Sequence, residues 1–253
     1  MEKSLIIQII GLPGSGKTTL AKEIVRRTNA IHLNADNVRS TLNSDLGFSI
    51  DDRIENARRL GAMAKILSEQ NYLVVVDFVN PTNTTREAFG SSDFIVWINR
   101  KGNNKYQDTL TIWEKPLKAD LVIYPESSVE DSAKLVLKSA NIKDWTEPTT
   151  LMLGRYQPWH EGHSALYEEG KQRTNQVLIA VRNTEGTSEK DPLGYGQVES
   201  YIRQDRPNAL IMKVPNITNI IYGRDVGYKI EKVELDPELQ KISATEKRKQ
   251  MGI

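Results

Sequence analysis

The residues best suited to chemistry lie in two short strings. Gly11-Leu12-Pro13-Gly14-Ser15-Gly16-Lys17-Thr18, followed by Thr19, has the G-x-x-x-x-G-K-[ST] spacing of a phosphate-cradling loop. Glycines let the backbone curl until successive N–H groups converge on phosphate oxygens, and the N-terminus of the following helix adds favourable partial charge. Lys17 is then placed to reach the β- and γ-phosphates of ATP, and the Thr18 hydroxyl to ligate Mg2+. The second string, His160-Glu161-Gly162-His163, holds two of the three histidines of the chain. Three residues apart at a helix N-terminus, they share a face and can donate to phosphate oxygens, stabilising charge that develops at an α-phosphate under attack. A zinc site is the competing reading of His-x-x-His, but no cysteine exists and no third ligand is evident.

Short β-rich runs alternating with helical patterns must position both strings. In the first half, strands are expected over 4–10, Ala30–Asn34, Tyr72–Asp77, Asp93–Asn99 and Ala119–Tyr124, with helices over 17–28, 51–70 and 128–140, the last capped by Ser127 or Ser128. The polar, proline-containing stretch around Trp145–Thr150 suits a linker. Beyond it, strands are expected over 150–154, 176–182, 208–214 and 218–222, and helices near 161–173 and 195–204. The expected organisation is α/β throughout: a P-loop NTPase-type parallel-sheet domain over 1–145, a linker at 146–150 and a smaller Rossmann-like domain over 151–253.

The acceptor half of the first site is sought at the next strand ends, where ligands gather in open α/β sheets. Asp36 lies there and can orient an acceptor hydroxyl or a magnesium-bound water; capping the next helix is its alternative role. Arg39 and Arg53 offer forked donors to an anionic acceptor, and Phe48 offers a face for a base. Asp77 ends the apolar run YLVVV, where such proteins often hold a carboxylate near the metal. The string LNADNVRSTLNSDLGFSIDDRIENARRLGAMAK, with VVVDFVNPTNTTRE after it, resembles the adenylylsulfate kinase family over about residues 5–90. The resemblance rests on Asp36, Asn37, Arg39, Asp45, Phe48, Arg53, Asn56 and the segment around Pro81, and it implies that Asn56 also contacts the acceptor. It further implies γ-phosphoryl transfer from ATP to the 3′-hydroxyl of adenosine 5′-phosphosulfate.

Three departures stand out. Asn34-Ala35-Asp36 replaces the family's Asp-Gly-Asp, and Phe78-Val79-Asn80-Pro81 replaces its Phe-Ile-Ser-Pro. The long basic lid is cut to NRKGNNKYQDTLTIWEKP, since the next strand resumes at Ala119.

In the second half, LMLGRYQPWHEGH and the later Ile242-Ser243-Ala244-Thr245-Glu246-Lys247-Arg248 together resemble the HxGH nucleotidylyltransferase superfamily, in particular its nicotinamide-mononucleotide adenylyltransferase-like branch. The resemblance implies nucleotide contacts from Gly154, Arg155, Gln157, His160, Gly162, His163, Ser243, Thr245 and Arg248. Ser243 and Thr245 would cap a last helix facing the triphosphate, and Arg248 would neutralise the β- and γ-phosphates. An acceptor phosphate would attack the α-phosphate in line and pyrophosphate would leave, with CTP or ATP as second nucleotide. Arg224 and Asp225, in a glycine-bracketed loop, are further acceptor candidates.

Composition narrows the partners. A formal charge of +1 gives no general attraction to nucleic acid, and no apolar run approaches the roughly 20 residues needed to span a bilayer. The six-residue apolar run at the N-terminus is too short for a secretory leader, and the absence of cysteine suits a reducing compartment, so a cytoplasmic location is expected. Small-molecule nucleotides are the expected ligands, with a homo-oligomer as one way to complete the short second domain. The expected function is that of a bifunctional kinase and nucleotidyltransferase. One alternative has the kinase phosphorylate a small alcohol, which the second domain converts to a CDP- or ADP-linked product. Another makes one domain a degenerate nucleotide-binding module.

Overall fold

A computed structural model describes residues 4–101, 107–221, 223, 224, 227, 229–237 and 242–252. The chain divides into two compact units, Glu2–Thr146 and Glu147–Ile253.

The first unit runs β1 (Ile6–Gly11), α1 (Lys17–Arg26), β2 (Ile31–Asn34), α2 (Ala35–Ser40), α3 (Ile50–Glu69), β3 (Val74–Asp77), α4 (Asn83–Phe89), β4 (Phe94–Ile98), α5 (Gln107–Thr111), β5 (Leu121–Ile123) and α6 (Val129–Ser139). Its five strands are all parallel in the order β2-β3-β1-β4-β5. All six β1 residues are buried, as a parallel strand covered on both faces requires. Alternation along the strands splits the core in two. Ile7 and Ile9 pack with Leu20, Ile24, Val136 and Leu137 of α1 and α6, whereas Ile6, Val74 and Val76 pack with Leu60, Ala64 and Phe89 of α3 and α4. Strand order reverses at β1, so the crevice for ligands opens at the C-terminal ends of β1 and β3.

Local chemistry explains the helix starts. Ser49 accepts from the Asp52 N–H while the Asp52 carboxylate answers the Ser49 backbone, and Ser128 accepts from the Asp131 N–H. Sequence periodicity misses the short α2, α4 and α5, each under two full turns, where too few apolar positions recur.

Close packing of α3 on α4 rests on Gly61. A Cβ there would lie 1.8 Å from the Phe89 carbonyl oxygen. Alanine gains about 1 kcal/mol of helix propensity, but overpacking against backbone costs about 1–3 kcal/mol or more, so the clash decides the sign. Gly61→Ala is expected to lower the urea midpoint, by an amount equivalent to about 2 kcal/mol, with the slope unchanged.

The second unit runs β6 (Thr150–Gly154), α7 (Glu161–Thr174), β7 (Val177–Arg182), α8 (Tyr195–Asp205), β8 (Leu210–Val214) and α9 (Ala244–Met251). The sheet is parallel with order β6-β7-β8, and its core gathers Met152, Tyr156, Trp159, Ile179, Val198, Ile202 and Ile211. The strand expected over 218–222 is corrected: residues 218–221 join no sheet, and Tyr222 lies outside the described residues. Ile220 and Ile221 are exposed, so this apolar run finds no neighbour to bury it among the described residues, and propensity alone makes no strand. No described helix is long and apolar enough to cross a membrane.

Candidate functional site

In the first unit the phosphate loop leaves β1 and enters α1. Gly14 and Gly16 have φ of 77° and 98°, the left-handed region where a side chain would be strained, and Gly16 is the residue from which α1 springs. Lys17 is buried, and its Nζ donates to the Leu12 carbonyl at 2.9 Å. Burial pushes the ammonium down to about 8, against the opposing charges of Asp77 and Asp36. Ser15 is buried, while Thr19 is exposed. A Cβ at Gly11 would meet the Ile98 carbonyl oxygen at 2.8 Å, so this glycine serves packing of the strand end.

Register creates the acid corner beside the loop. Asn34 of β2 lies directly opposite Asp77 of β3, and His32, two residues earlier, shares that face. Asp77 accepts from Thr18 Oγ1 at 2.6 Å, from Asn34 Nδ2 at 3.1 and 3.2 Å, and contacts His32 Nε2 at 2.5 Å. Burial by itself would raise this carboxyl, but the hydrogen bonds from His32, Thr18 and Asn34 outweigh it and hold it below the ordinary carboxylate value. Thr18 and Asp77 therefore present hard oxygen donors together, a set that fits Mg2+, which takes one or two protein oxygens and keeps waters and phosphates for the rest. Asn34 also caps α2 by accepting from Asn37 N at 3.0 Å, which frees Asp36 from the capping role considered for it.

A cavity of about 730 Å3 joins these groups to the acceptor side. Its wall includes Lys17, Thr18, Asp77, Asp36, Arg39, Phe48, Arg53 and Asn56, so one space collects the expected donor and acceptor residues. Phe48 is 66% exposed, with the Arg39 and Arg53 guanidinium carbons 4.8 and 5.5 Å from its ring centre. Arg39 donates to the Gly47 carbonyl. Arg53 donates to the Phe48 carbonyl, to Asp108 at 2.7 Å and to Thr109 at 3.2 Å. Asn56 is buried, its Oδ1 accepting from Asn43. Asp45 sits outside this wall, paired bidentately with Arg59 at 2.8 Å.

Sequence reasoning missed His32, Asp108, Thr109 and Asn80 as parts of this site. The shortened lid supplies Asp108 and Thr109 through α5, and its far end is tied down: Glu114 N donates to the Pro81 carbonyl at 2.8 Å and Arg86 Nη2 donates to the Glu114 carbonyl at 2.6 Å. Residues 102–106 of the lid lie outside the described residues.

In the second unit the two histidines behave as caps. His160 precedes α7 and its Nδ1 accepts from Gly162 N at 3.2 Å, while His163 Nδ1 accepts from His160 N at 3.3 Å. With both Nδ1 atoms accepting, each neutral ring carries its proton on Nε2. The rings lie 3.8 Å apart, and His163 contacts Tyr156 and Trp159. Burial, then the neighbouring His160, pushes His163 down to about 3; burial also lowers His160. Gly162 is buried in the first turn.

Several nucleotide contacts expected here are instead engaged within the protein. A Cβ at Gly154 would lie 2.7 Å from the Tyr156 ring, so that glycine makes room for an aromatic residue. Gln157 is buried with both ends of its amide on Leu193: Nε2 donates to the carbonyl at 2.8 Å and Oε1 accepts from the N–H at 2.9 Å. Arg248 is 8% exposed and donates to the Gln157 carbonyl at 2.6 Å and to Thr245 Oγ1 at 3.1 Å. Thr245 thus does not cap α9; Ser243 does, accepting from Glu246 N at 3.2 Å. Arg155 pairs with buried Asp191 at 3.1 Å, and Asp191 also accepts from Thr184 and Ser188. Arg224 is exposed, and Asp225 lies outside the described residues.

Residues 3–94 match the protein-family model described as Adenylylsulphate kinase. The N-terminal part of this chain is adenylylsulfate-kinase-like. Adenylyl-sulfate kinase of Bacillus velezensis is 43% identical over 90 residues, covering 34% of this chain and 46% of that protein. Its counterpart in Thermodesulfovibrio yellowstonii is 42% identical over 102 residues, 37% of this chain and 51% of its own. The chain spans about half the length of these two relatives. The APE1195 protein shares the fold at 20% identity with a TM-score of 0.50, covering 55% of this chain and 96% of that one. A solved structure of the Mycobacterium tuberculosis APS kinase CysC with AMPPNP and APS is 27% identical, covers 55% of this chain and 98% of its own, and has a TM-score of 0.48. The family match ends at residue 94 and bears only on the first unit.

Proposed function

We propose that the chain is a bifunctional nucleotide enzyme. Its first unit moves the γ-phosphoryl of ATP to a hydroxyl, that of the 3′ carbon of adenosine 5′-phosphosulfate. Its second unit transfers a nucleotidyl group from CTP or ATP to a phosphate acceptor and releases pyrophosphate. The observation that carries the kinase half is the shared cavity, in which the Lys17, Thr18 and Asp77 corner meets Arg39, Phe48, Arg53 and Asn56.

In the kinase step, Lys17 leaves the Leu12 carbonyl for the β- and γ-phosphate oxygens and balances their charge. Asp36 holds the acceptor hydroxyl in line and takes its proton as the new O–P bond forms and the bond to the β-phosphate oxygen breaks, leaving ADP. Mg2+, when bound by Thr18 and Asp77, supplies further charge neutralisation on the phosphates. Arg39 and Arg53 meet the anionic end of the acceptor and Phe48 its base. In the second unit, His160 and His163 offer Nε2–H donors to the triphosphate beside the α7 N-terminus.

Two alternatives draw on particular observations. The short lid, with α5 brought into the cavity wall, suits a smaller alcohol as acceptor. The internal ties of Gln157 and Arg248 suit a second unit that binds nucleotide without turnover. Incubating the full chain with labelled ATP or CTP and an acceptor panel that includes adenosine 5′-phosphosulfate, while following 3′-phosphorylation and pyrophosphate release separately, distinguishes all three. Absence of both signals with every acceptor refutes the bifunctional reading.

A further inference from the structure

Asn80 is 1% exposed, yet neither Oδ1 nor Nδ2 has a hydrogen-bond partner among the described residues. It also belongs to the wall of the 730 Å3 cavity, with Lys17, Asp36 and Asp77. A buried amide with both ends unpaired is costly, and such a group calls for a specific reason. Backbone conformation supplies only part of one. Asn80 has φ of 48°, which asparagine tolerates better than most residues, but glycine would meet that need without burying two polar atoms.

The segment around it is held at both ends. On one side Asp77 is tied by Thr18, His32 and Asn34; on the other the Pro81 carbonyl accepts from Glu114 N at 2.8 Å and Arg86 Nη2 at 3.2 Å. Asn80 is therefore presented from a fixed frame, three residues beyond Asp77, at the strand end where phosphoryl transfer takes place. Lys17, Arg39 and Arg53 line this cavity as cations that only donate, and suit the anionic groups of the substrates. A carboxamide adds one acceptor and a neutral donor side by side, the pattern that matches one hydroxyl, which both gives and takes a hydrogen bond.

We infer that Asn80 binds the hydroxyl next to the one phosphorylated, so that the acceptor of the first site carries a vicinal diol. This rests on the kinase reading of the first unit. A side-chain rotation brings the amide to the cavity surface, and the neighbouring hydroxyl then satisfies both of its ends while the reacting hydroxyl faces Asp36. The same chemistry is present in a nucleotide ribose and in a small polyol, and deoxy analogues separate the two sources.

The test measures kcat/KM of the full chain for adenosine 5′-phosphosulfate and for its 2′-deoxy analogue, and for glycerol and propane-1,3-diol, in wild type, Asn80→Gly and Asn80→Asp. Wild type is expected to favour the diol member of one pair by about tenfold or more, the discrimination one neutral hydrogen bond provides. Asn80→Gly is expected to reduce that preference to within about twofold while the KM for ATP stays within about twofold, and Asn80→Asp, which can accept from the hydroxyl but no longer donates to it, is expected to lose at least half of the preference. Asn80→Asp preserves size and tolerance of the left-handed backbone, so the readout survives should the glycine variant fold poorly. Full retention of the preference in a folded variant overturns the inference and leaves the kinase reading intact. If wild type phosphorylates none of the four acceptors, or the favoured pair shows no preference, the inference also falls; the first of these results removes the kinase reading with it.

Discussion

Lys17→Ala is expected to lower ATP-dependent phosphoryl transfer about 100- to 1,000-fold, the usual consequence of removing one preorganised charge stabiliser. Lys17 is buried and held on the Leu12 carbonyl, so in the free enzyme it is a charge poised over a short path to the phosphates. Its depressed value of about 8 has a further consequence. The kcat/KM for ATP, which reports groups of the free enzyme, is expected to fall as pH rises above about 8, because the ammonium loses its proton there. In Lys17→Arg that limb should vanish, since guanidinium stays charged, even though the absolute rate drops. The sign for stability is opposite. The folded value lies below the ordinary 10.5, so the unfolded chain holds more protons between about 8 and 10.5, and unfolding becomes harder as pH rises through that window. An ADP-release assay over pH 6 to 10 in all three proteins checks the kinetic claim. An undiminished rate in Lys17→Ala would remove Lys17 from the mechanism.

If the second unit transfers nucleotidyl groups as proposed, His163→Ala is expected to reduce that activity by a similar factor, about 100- to 1,000-fold, measured as pyrophosphate release. The geometry sets the form in which His163 is presented. Its Nδ1 accepts a backbone hydrogen and burial pushes it down to about 3, so the free enzyme presents a neutral Nε2–H donor and not an imidazolium. Accordingly the kcat/KM profile should show no limb from His163 between pH 5 and 8, and His163→Gln, which can offer a neutral N–H, should retain more activity than His163→Ala. Because the folded value lies below the ordinary 6.5, the stability contributed by the neutral, partly buried ring is present above about 6.5 and is lost as pH falls toward 3. A rate limb near 6.5 that disappears in His163→Ala would show that the charged ring does the work.

The two sites differ in how far residue types alone disclose them. The phosphate loop is legible because its requirements are local: positive φ at Gly14 and Gly16, a strand before and a helix after, all within a few residues. Asp36, Arg39, Phe48 and Arg53 are legible through a run of matching positions, and the cavity gathers them. His32 carries no such signal, because its contact with Asp77 depends on β2 pairing with β3 in one register, 45 residues apart. Asp108 and Thr109 reach the site from a segment whose shortening is visible in sequence but whose destination is not.

The second unit makes the same point from the other direction. Its motif residues are easy to pick out, yet Gln157 and Arg248, 91 residues apart, turn out to hold each other and Leu193. Polarity and position in a motif do not tell whether a side chain faces a ligand or a carbonyl. The run around Ile220 is as apolar as a strand, but with no pairing neighbour among the described residues it remains outside the sheet.

Residue order by itself determined the alternation of strands and helices, the phosphate loop, the helix cap at Ser128, and the pairing of two histidines on one helical turn. Each is set by torsions and hydrogen bonds between residues a few positions apart. Tertiary structure decided the rest: the saturation of Asp77 by three neighbours, the cavity that joins both halves of the first site, the engagement of Gln157 and Arg248, and the Asn80 amide, unpartnered among the described residues. Burial and long-range register govern those features, and both are properties of the packed chain as a whole.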